Sequence, residues 1–313
     1  MKNSSSILYT SELYDVTLVT QTSKERIFYF DHLLKRWKGR ISICLLYDDS
    51  MADRIDIITG KNYYSPRLSL YPYYSNNTNI YPVNLLRNIA IQHVITTHLW
   101  LTDMDMWPAF NLYESLITLP ASIINDDKMA VIVPAFEYNM TIPCHSLEEC
   151  VRVLSVSFPV NKTELIQCVD KEICHLLYLY LLPEWYSTNV NVSCTRVNCF
   201  PNKYIMVRKT ASLPMFDPRF INYGKNKIQW IEELRYKGWT FSILTNSFAI
   251  DIPHPRSRFA VDYIHQWDTN MRKVEMVNLY NSFLKDLYTN NTDNTAIPFC
   301  NYNISTASTT SSK

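Results

Sequence analysis

Apolar positions in the first 135 residues change period several times. Asp15 to Gln21 is a β-branched run and predicts a strand. Ser23 is placed to cap a helix over Lys24 to Trp37, with Ile27, Phe28, Phe30, Leu33 and Leu34 near helical spacing and Gly39 as the stop. Ile41 to Tyr47 and Leu68 to Tyr73 predict two more strands. Tyr81 to His93 predicts a helix with Pro82 in its first turn, where proline is tolerated. A strand at Ile95 to Leu101, a helix at Leu112 to Leu119 and a strand at Met129 to Pro134 complete the alternation. Such alternation predicts an α/β fold with a mixed, mostly parallel sheet flanked by helices. Periodicity weakens between 137 and 200, which predicts an insertion or lid. It returns at Lys203 to Arg208, a helix over Asn226 to Tyr236, and strands at Thr240 to Leu244 and Phe248 to Ile252.

The strand ending at Leu101 runs into Thr102-Asp103-Met104-Asp105-Met106, and Trp107-Pro108 is expected to end it. Two carboxylates this close to a buried strand are costly to ionise unless a cation joins them. Hard divalent cations such as Mn²⁺ or Mg²⁺ prefer carboxylate oxygens and can in turn hold a diphosphate. A bare Asp-x-Asp is also compatible with two solvated residues in a turn. Its position at the carboxyl end of a strand, where α/β sheets bind ligands, favours the metal.

Composition narrows the chemistry. With 47% apolar and 19% charged residues the chain has a sizeable core, and 30 basic against 29 acidic residues give no field for nucleic acid. Only four glycines occur, and no dinucleotide or P-loop glycine pattern is present, so a bound diphosphate must be held by metal and side chains.

Six of eight cysteines fall between Cys144 and Cys199 without a zinc spacing, and sequons occur at Asn3, Asn76, Asn139, Asn161, Asn191, Asn290 and Asn303. Together they favour an oxidising compartment with disulfides in that region. The polar segment 1–14 has no apolar stretch of a signal or anchor, and no run crosses a bilayer. Either an anchor is missing from this sequence or the protein works outside the secretory route. A single domain is expected over 15–285, with a tail over 286–313 that ends Ser/Thr-rich and disordered.

Several ordered segments carry a resemblance: Asp15 to Gln21, Tyr81 to Asn88, Leu101 to Met106, Ala130 to Glu137, Phe216 to Phe220, Tyr223 to Lys227 and Asn246 to His254. Over roughly 14–285 the chain resembles glycosyltransferase family 49, which includes a β-1,4-glucuronyltransferase and the glucuronyltransferase domain of LARGE-type enzymes. The resemblance implies a GT-A fold, a UDP-sugar donor, Mn²⁺ (with Mg²⁺ an option), inversion at the anomeric carbon, a glycan or glycoprotein acceptor and the Golgi lumen. UDP-glucuronate is the first donor, with UDP-N-acetylglucosamine or UDP-xylose as alternatives. A catalytically silent carbohydrate-binding paralogue is a reading from another class.

Residue roles follow from the matched motifs. Asp103 and Asp105 would hold the metal, with Asp251 or His254 as the third ligand; Asp251 stands where the family pattern has histidine. Asn84, Arg87 and Asn88 share one helix face. Arg87 either meets the donor diphosphate or carboxylate, or pairs with Asp103. Thr20 and Gln21 end the strand expected to hold the uridine. Asn226 and Lys227 would line the donor or acceptor side, with Gly224 letting the backbone approach. Glu233 and Glu137 are the rival general bases, and a uronate carboxylate would be met by Arg87, Lys225 or Lys227.

Overall fold

The computed structural model describes residues 14–50, 55, 65–77, 79–138, 146–154, 158–177, 184–187, 194–196, 204–254, 259–261, 265 and 271–297. The segment 1–13, the tail from 298, the sequons Asn3, Asn139, Asn191 and Asn303, and Cys144 and Cys199 lie outside the described residues. In chain order the first elements are β1 (Val16–Ser23), α1 (Tyr29–Arg36), β2 (Ile41–Tyr47), β3 (Leu68–Tyr74), α2 (Val83–Gln92), β4 (His98–Leu101) and β5 (Met106–Pro108). Next come α3 (Leu112–Ile117), α4 (Ala121–Ile124), β6 (Met129–Ile132), β7 (Ala135–Tyr138), α5 (Leu147–Leu154), α6 (Lys162–Asp170) and β8 (Cys174–Leu176). The rest are α7 (Glu184–Ser187), β9 (Cys194–Arg196), β10 (Ile205–Arg208), α8 (Ile228–Tyr236), β11 (Thr240–Leu244), β12 (Ala249–Asp251) and α9 (Met271–Asn290).

Eight strands form one mixed sheet in the order β3-β2-β1-β4-β10-β6-β11-β9, and β5-β12-β7-β8 form a second. The β3-β2-β1-β4 half is parallel throughout. Its β1 and β4 are buried along nearly their whole length, which explains their continuous rather than alternating apolar character. Strand order reverses between β1 and β4: the chain moves outward from β1 to β3, then returns through α2 to the other side of β1. That reversal opens a crevice beyond the carboxyl ends of both strands. Five tryptophans, Trp37, Trp100, Trp107, Trp230 and Trp239, are fully buried in the core.

Several expected boundaries move for identifiable reasons. The single helix over 24–37 divides into a 3₁₀ turn, Lys24–Arg26, and α1. Ile95 is 76% exposed and Thr97 bonds across to Asp15, so β4 begins only at His98. Trp107-Pro108 does not end a strand but lies in β5, the start of the second sheet. At Pro134, which has no N–H to donate, the chain leaves the first sheet and enters the second as β7.

Among the described residues of 137–200, β8 extends the second sheet and β9 edges the first. Cys168 and Cys174 are disulfide-linked there, and Cys150 is also disulfide-bonded. At the far end the fold passes the expected limit of 285, because α9 runs to Asn290 and Ile297 is buried. Gly238 shows why this closing stretch fits. The Gly238 and Trp239 N–H groups bond back to the carbonyls of Arg235 and Leu234, ending α8 in a left-handed turn at φ +89°. A Cβ there would lie 2.9 Å from the Asn294 carbonyl oxygen.

Candidate active site

The Asp-x-Asp turn joins the two sheets. β4 lies between β1 and β10, and the Thr102 N–H bonds the Val19 carbonyl, so the first sheet fixes where the turn begins. Met104 is buried, and the flanking Asp103 and Asp105 line the crevice. β5 follows at once and pairs with β12, Met106 opposite Asp251. The Ile252 N–H bonds the Asp105 carbonyl, bringing the end of β12 against the turn.

This pairing gathers Asp105, Asp251 and His254, whose ligand atoms lie within 4.8 Å of one another. Both residues offered by the sequence as a third ligand are therefore present at the cluster. His254 Nε2 is 2.9 Å and Arg26 Nη1 2.5 Å from the same Asp105 oxygen, Oδ2. Burial pushes the Asp105 carboxyl up, but the Arg26 charge and the His254 hydrogen bond outweigh it and hold the group well below the usual carboxylate range. Asp251 goes the other way: burial, then the Asp105 charge, raise it well above that range. Its Oδ1 is buried and accepts no hydrogen bond among the described residues. Two close carboxylates, one with an orphaned oxygen, beside an imidazole nitrogen, make a donor set that fits a divalent cation.

Asp103 belongs to a different network. Its Oδ1 accepts from Arg87 Nη2 at 3.1 Å, and its Oδ2 accepts from the Tyr204 hydroxyl at 3.0 Å and from Lys227. Against the burial that opposes ionisation, these two cations keep its carboxyl below the usual range. Asp103 lines the cavity with both its oxygens engaged, by two cations and a hydroxyl. Of the alternatives for Arg87, the structure shows the pairing with Asp103.

Asn84 and Asn88 share the Arg87 face of α2 as predicted, but neither reaches the cavity. Asn84 donates to the carbonyls of Asp217 and Asn226, and its Oδ1 accepts from Arg87. Asn88 exchanges two hydrogen bonds with the Phe216 backbone. They clamp the 216–226 chain onto α2, and so hold Asn226, which accepts from Arg87 at 3.1 Å, at the cavity wall.

A cavity of about 610 Å³ occupies the crevice, a size suited to a small-molecule ligand. Gln21, Arg87, Asp103, Asp105, Asn226, Lys227, Asp251 and His254 line it, together with Gly224, which takes a left-handed φ of 102°. Thr20 does not: it is buried in the core, and its hydroxyl has no hydrogen-bond partner among the described residues. Nor do the two acidic candidates. Glu233 projects from α8 and pairs with Lys237 at 2.6 Å. Glu137 is exposed, but its register opposite Asp251 sets the two side chains on one face of the second sheet. Glu233→Gln is expected to leave turnover within about twofold of wild type, because the Glu233 carboxylate pairs with Lys237 and does not line the cavity. A steady-state assay checks this, and a loss above tenfold would return Glu233 to the site.

The family described as glycosyl-transferase for dystroglycan matches residues 59–290. The chain belongs to this glycosyltransferase family. Mouse xylosyl- and glucuronyltransferase LARGE1 is 31% identical over 258 residues, covering 78% of this chain and 32% of the relative. Mouse LARGE2, of the same description, is 30% identical over 260 residues, covering 78% and 35%. The chain thus spans about a third of the length of these curated relatives. A crystal structure of GalNAc-T7 with UDP, GalNAc and Mn²⁺ superposes with a TM-score of 0.49 at 12% identity, over 79% of this chain and 45% of that one.

Within this glycosyltransferase domain, the residues that sequence reasoning missed include Arg26, Tyr81, Tyr204 and Phe259, all of which line the cavity. Arg26 was hidden inside an amphipathic pattern read as a helix face. Tyr81 donates to Gln21 and packs against Phe259 at 5.4 Å, contacts that no local pattern announces.

Proposed function

We propose that this domain transfers a sugar, with inversion, from a UDP-sugar to a glycan or glycoprotein acceptor on a GT-A-type scaffold, and that the donor is UDP-glucuronate. The observation that carries this is the Asp105, Asp251 and His254 cluster in the wall of a cavity at the strand-order reversal. A set containing an imidazole suits Mn²⁺ better than Mg²⁺, which favours oxygen alone. When bound, the cation neutralises charge developing on the departing nucleoside diphosphate. Gln21, whose oxygen is taken by Tyr81, keeps its amide N–H groups for a uracil carbonyl. Glu137, accessible and beside Asp251, is the base that takes the acceptor proton. Glu137→Gln is expected to lower turnover about a hundredfold while UDP binding persists; single-turnover assays beside calorimetry check this.

Charge supports a uronate. Four cations, Arg26, Arg87, Lys225 and Lys227, and three aspartates line the cavity. A divalent ion leaves more positive charge than a diphosphate removes, and a donor carboxylate closes the difference. Arg87 and Lys227 are held by Asp103, whereas Lys225 points its ammonium at the ring of Tyr280, 5.3 Å away, from a left-handed backbone at φ 55°. Lys225 is therefore the partner for the uronate. Lys225→Met is expected to raise KM for UDP-glucuronate about tenfold or more, the worth of a charge-assisted hydrogen bond. An unchanged KM would remove that role.

The Cys168–Cys174 disulfide fits the oxidising Golgi lumen, where we place the reaction. No helix among the described residues is long and apolar enough to cross a membrane. Calorimetry of UDP with Mn²⁺, followed by a panel of UDP-sugars, tests the whole reading. Cation-dependent UDP binding with preference for UDP-glucuronate is expected, and no binding with either Mn²⁺ or Mg²⁺ would overturn it.

A further inference from the structure

Arg26 and His254 together fill Asp105 Oδ2, an oxygen with two lone pairs, at 2.5 and 2.9 Å. A divalent cation held by that carboxylate would stand against the Arg26 guanidinium on the same side chain, and two like charges so close repel. His254 is a member of the ligand cluster and stays beside the cation as a neutral imidazole, so the group that the cation repels is Arg26.

We propose that Arg26 exchanges partners during the reaction cycle: it gives up Asp105 to the bound divalent cation and turns onto a phosphate oxygen of the nucleoside diphosphate donor. The proposal rests on the metal-dependent reading above and adds a catalytic residue to it. Three observations carry it.

First, the ion pair with Asp105 is the one that Arg26 makes among the described residues, so no second carboxylate holds it back. Arg87, in contrast, is pinned by Asp103, Asn84 and Asn226 at once. Second, Arg26 lies on a 3₁₀ turn whose backbone is anchored independently. Lys24 pairs with Asp48 at 2.6 Å, and the Ile27 N–H bonds the Lys24 carbonyl, so the side chain can swing without moving the turn. Third, Arg26 lines the same cavity as Gln21, Thr22 and Ser23 at the end of β1, which leaves it facing the ligand when released. A guanidinium is suited to both partners, since its planar fork matches carboxylate and phosphate alike.

The exchange makes a prediction of opposite signs. Arg26 competes with the cation for Asp105, so Arg26→Ala should bind Mn²⁺ more tightly than wild type in the absence of nucleotide, by about tenfold. The same variant at saturating Mn²⁺ should bind UDP about tenfold or more weakly and turn over more slowly. Arg26→Lys keeps the charge and should leave Mn²⁺ affinity within about threefold of wild type. Calorimetric titration of Mn²⁺ alone, then of UDP, reads both. Mn²⁺ affinity unchanged or weakened in Arg26→Ala, or UDP affinity unchanged, would overturn the exchange. Equal tightening in Arg26→Lys would do the same, since it would reflect loosened packing rather than charge. Wild-type protein that binds neither cation would overturn the metal-dependent reading together with the exchange, which distinguishes the two failures.

Discussion

Asp105→Asn is expected to abolish Mn²⁺ binding and to lower sugar transfer by about a thousandfold or more, the scale of losing a preorganised charge at a leaving group. The side chain keeps its shape, so the effect isolates charge. Asp105 is the link between the other two ligands. Its carbonyl receives the Ile252 N–H, its carboxylate receives His254, and its charge is a principal cause of the raised Asp251 carboxyl. Without it the cluster is left with one carboxylate and one imidazole, a poor set for a hard cation. The cost to folding should be modest, because Arg26, with 18% of its side chain exposed, can turn to water. Asp103→Asn is the matched control. It should keep Mn²⁺ binding in the absence of nucleotide, since Asp103 is engaged by Arg87, Lys227 and Tyr204 rather than by the cluster. Calorimetry on both variants decides the assignment, and the reverse pattern would exchange the roles of the two aspartates.

The sequence made this pair visible because the information is local: an apolar strand, a polar turn, and too few glycines for another way of holding a diphosphate. The parallel half of the main sheet was legible for the same reason, with β1, β2 and β4 written as short β-branched or apolar runs. What escaped was set by pairings distant in sequence. β5 and β7 are short strands that leave one sheet for another, and only contact with β12, more than 100 residues on, makes them strands. Asn84 and Asn88 carry the right spacing for a binding face, yet that face meets the 216–226 chain, which periodicity cannot show. The choice between Asp251 and His254 looked exclusive in the sequence. The turn after β12 makes it inclusive, since it brings both to Asp105. Arg26 had no signal at all, because a cation on an amphipathic stretch is ordinarily a solvated one. The nature of the transfer came from the order of the matched motifs, not from any single residue.

Arg87→Ala should cost about 3–5 kcal/mol of folding stability, as expected when one member of a buried ion pair is removed. Only 3% of the Arg87 side chain is exposed. Its guanidinium joins three chain segments, donating to Asp103 at 3.1 Å, to Asn84 at 2.9 Å and to Asn226 at 3.1 Å, and it lies 5.4 Å from the Phe216 ring centre. Truncation strips Asp103 Oδ1 of its cation and leaves two asparagine oxygens without a donor. Lys227 still neutralises Asp103 from the other side, which keeps the loss from being larger. Arg87→Lys restores a charge but not the fork, and should recover no more than part of the stability. A double-mutant cycle with Asp103→Asn in urea denaturation separates the pair from the packing: removing both should cost clearly less than the two single losses added together. Strict additivity would mean that Arg87 acts through Phe216 and the asparagines alone. An unchanged urea midpoint, with only uronate turnover lost, would instead make Arg87 a donor ligand and release Asp103 to serve the metal.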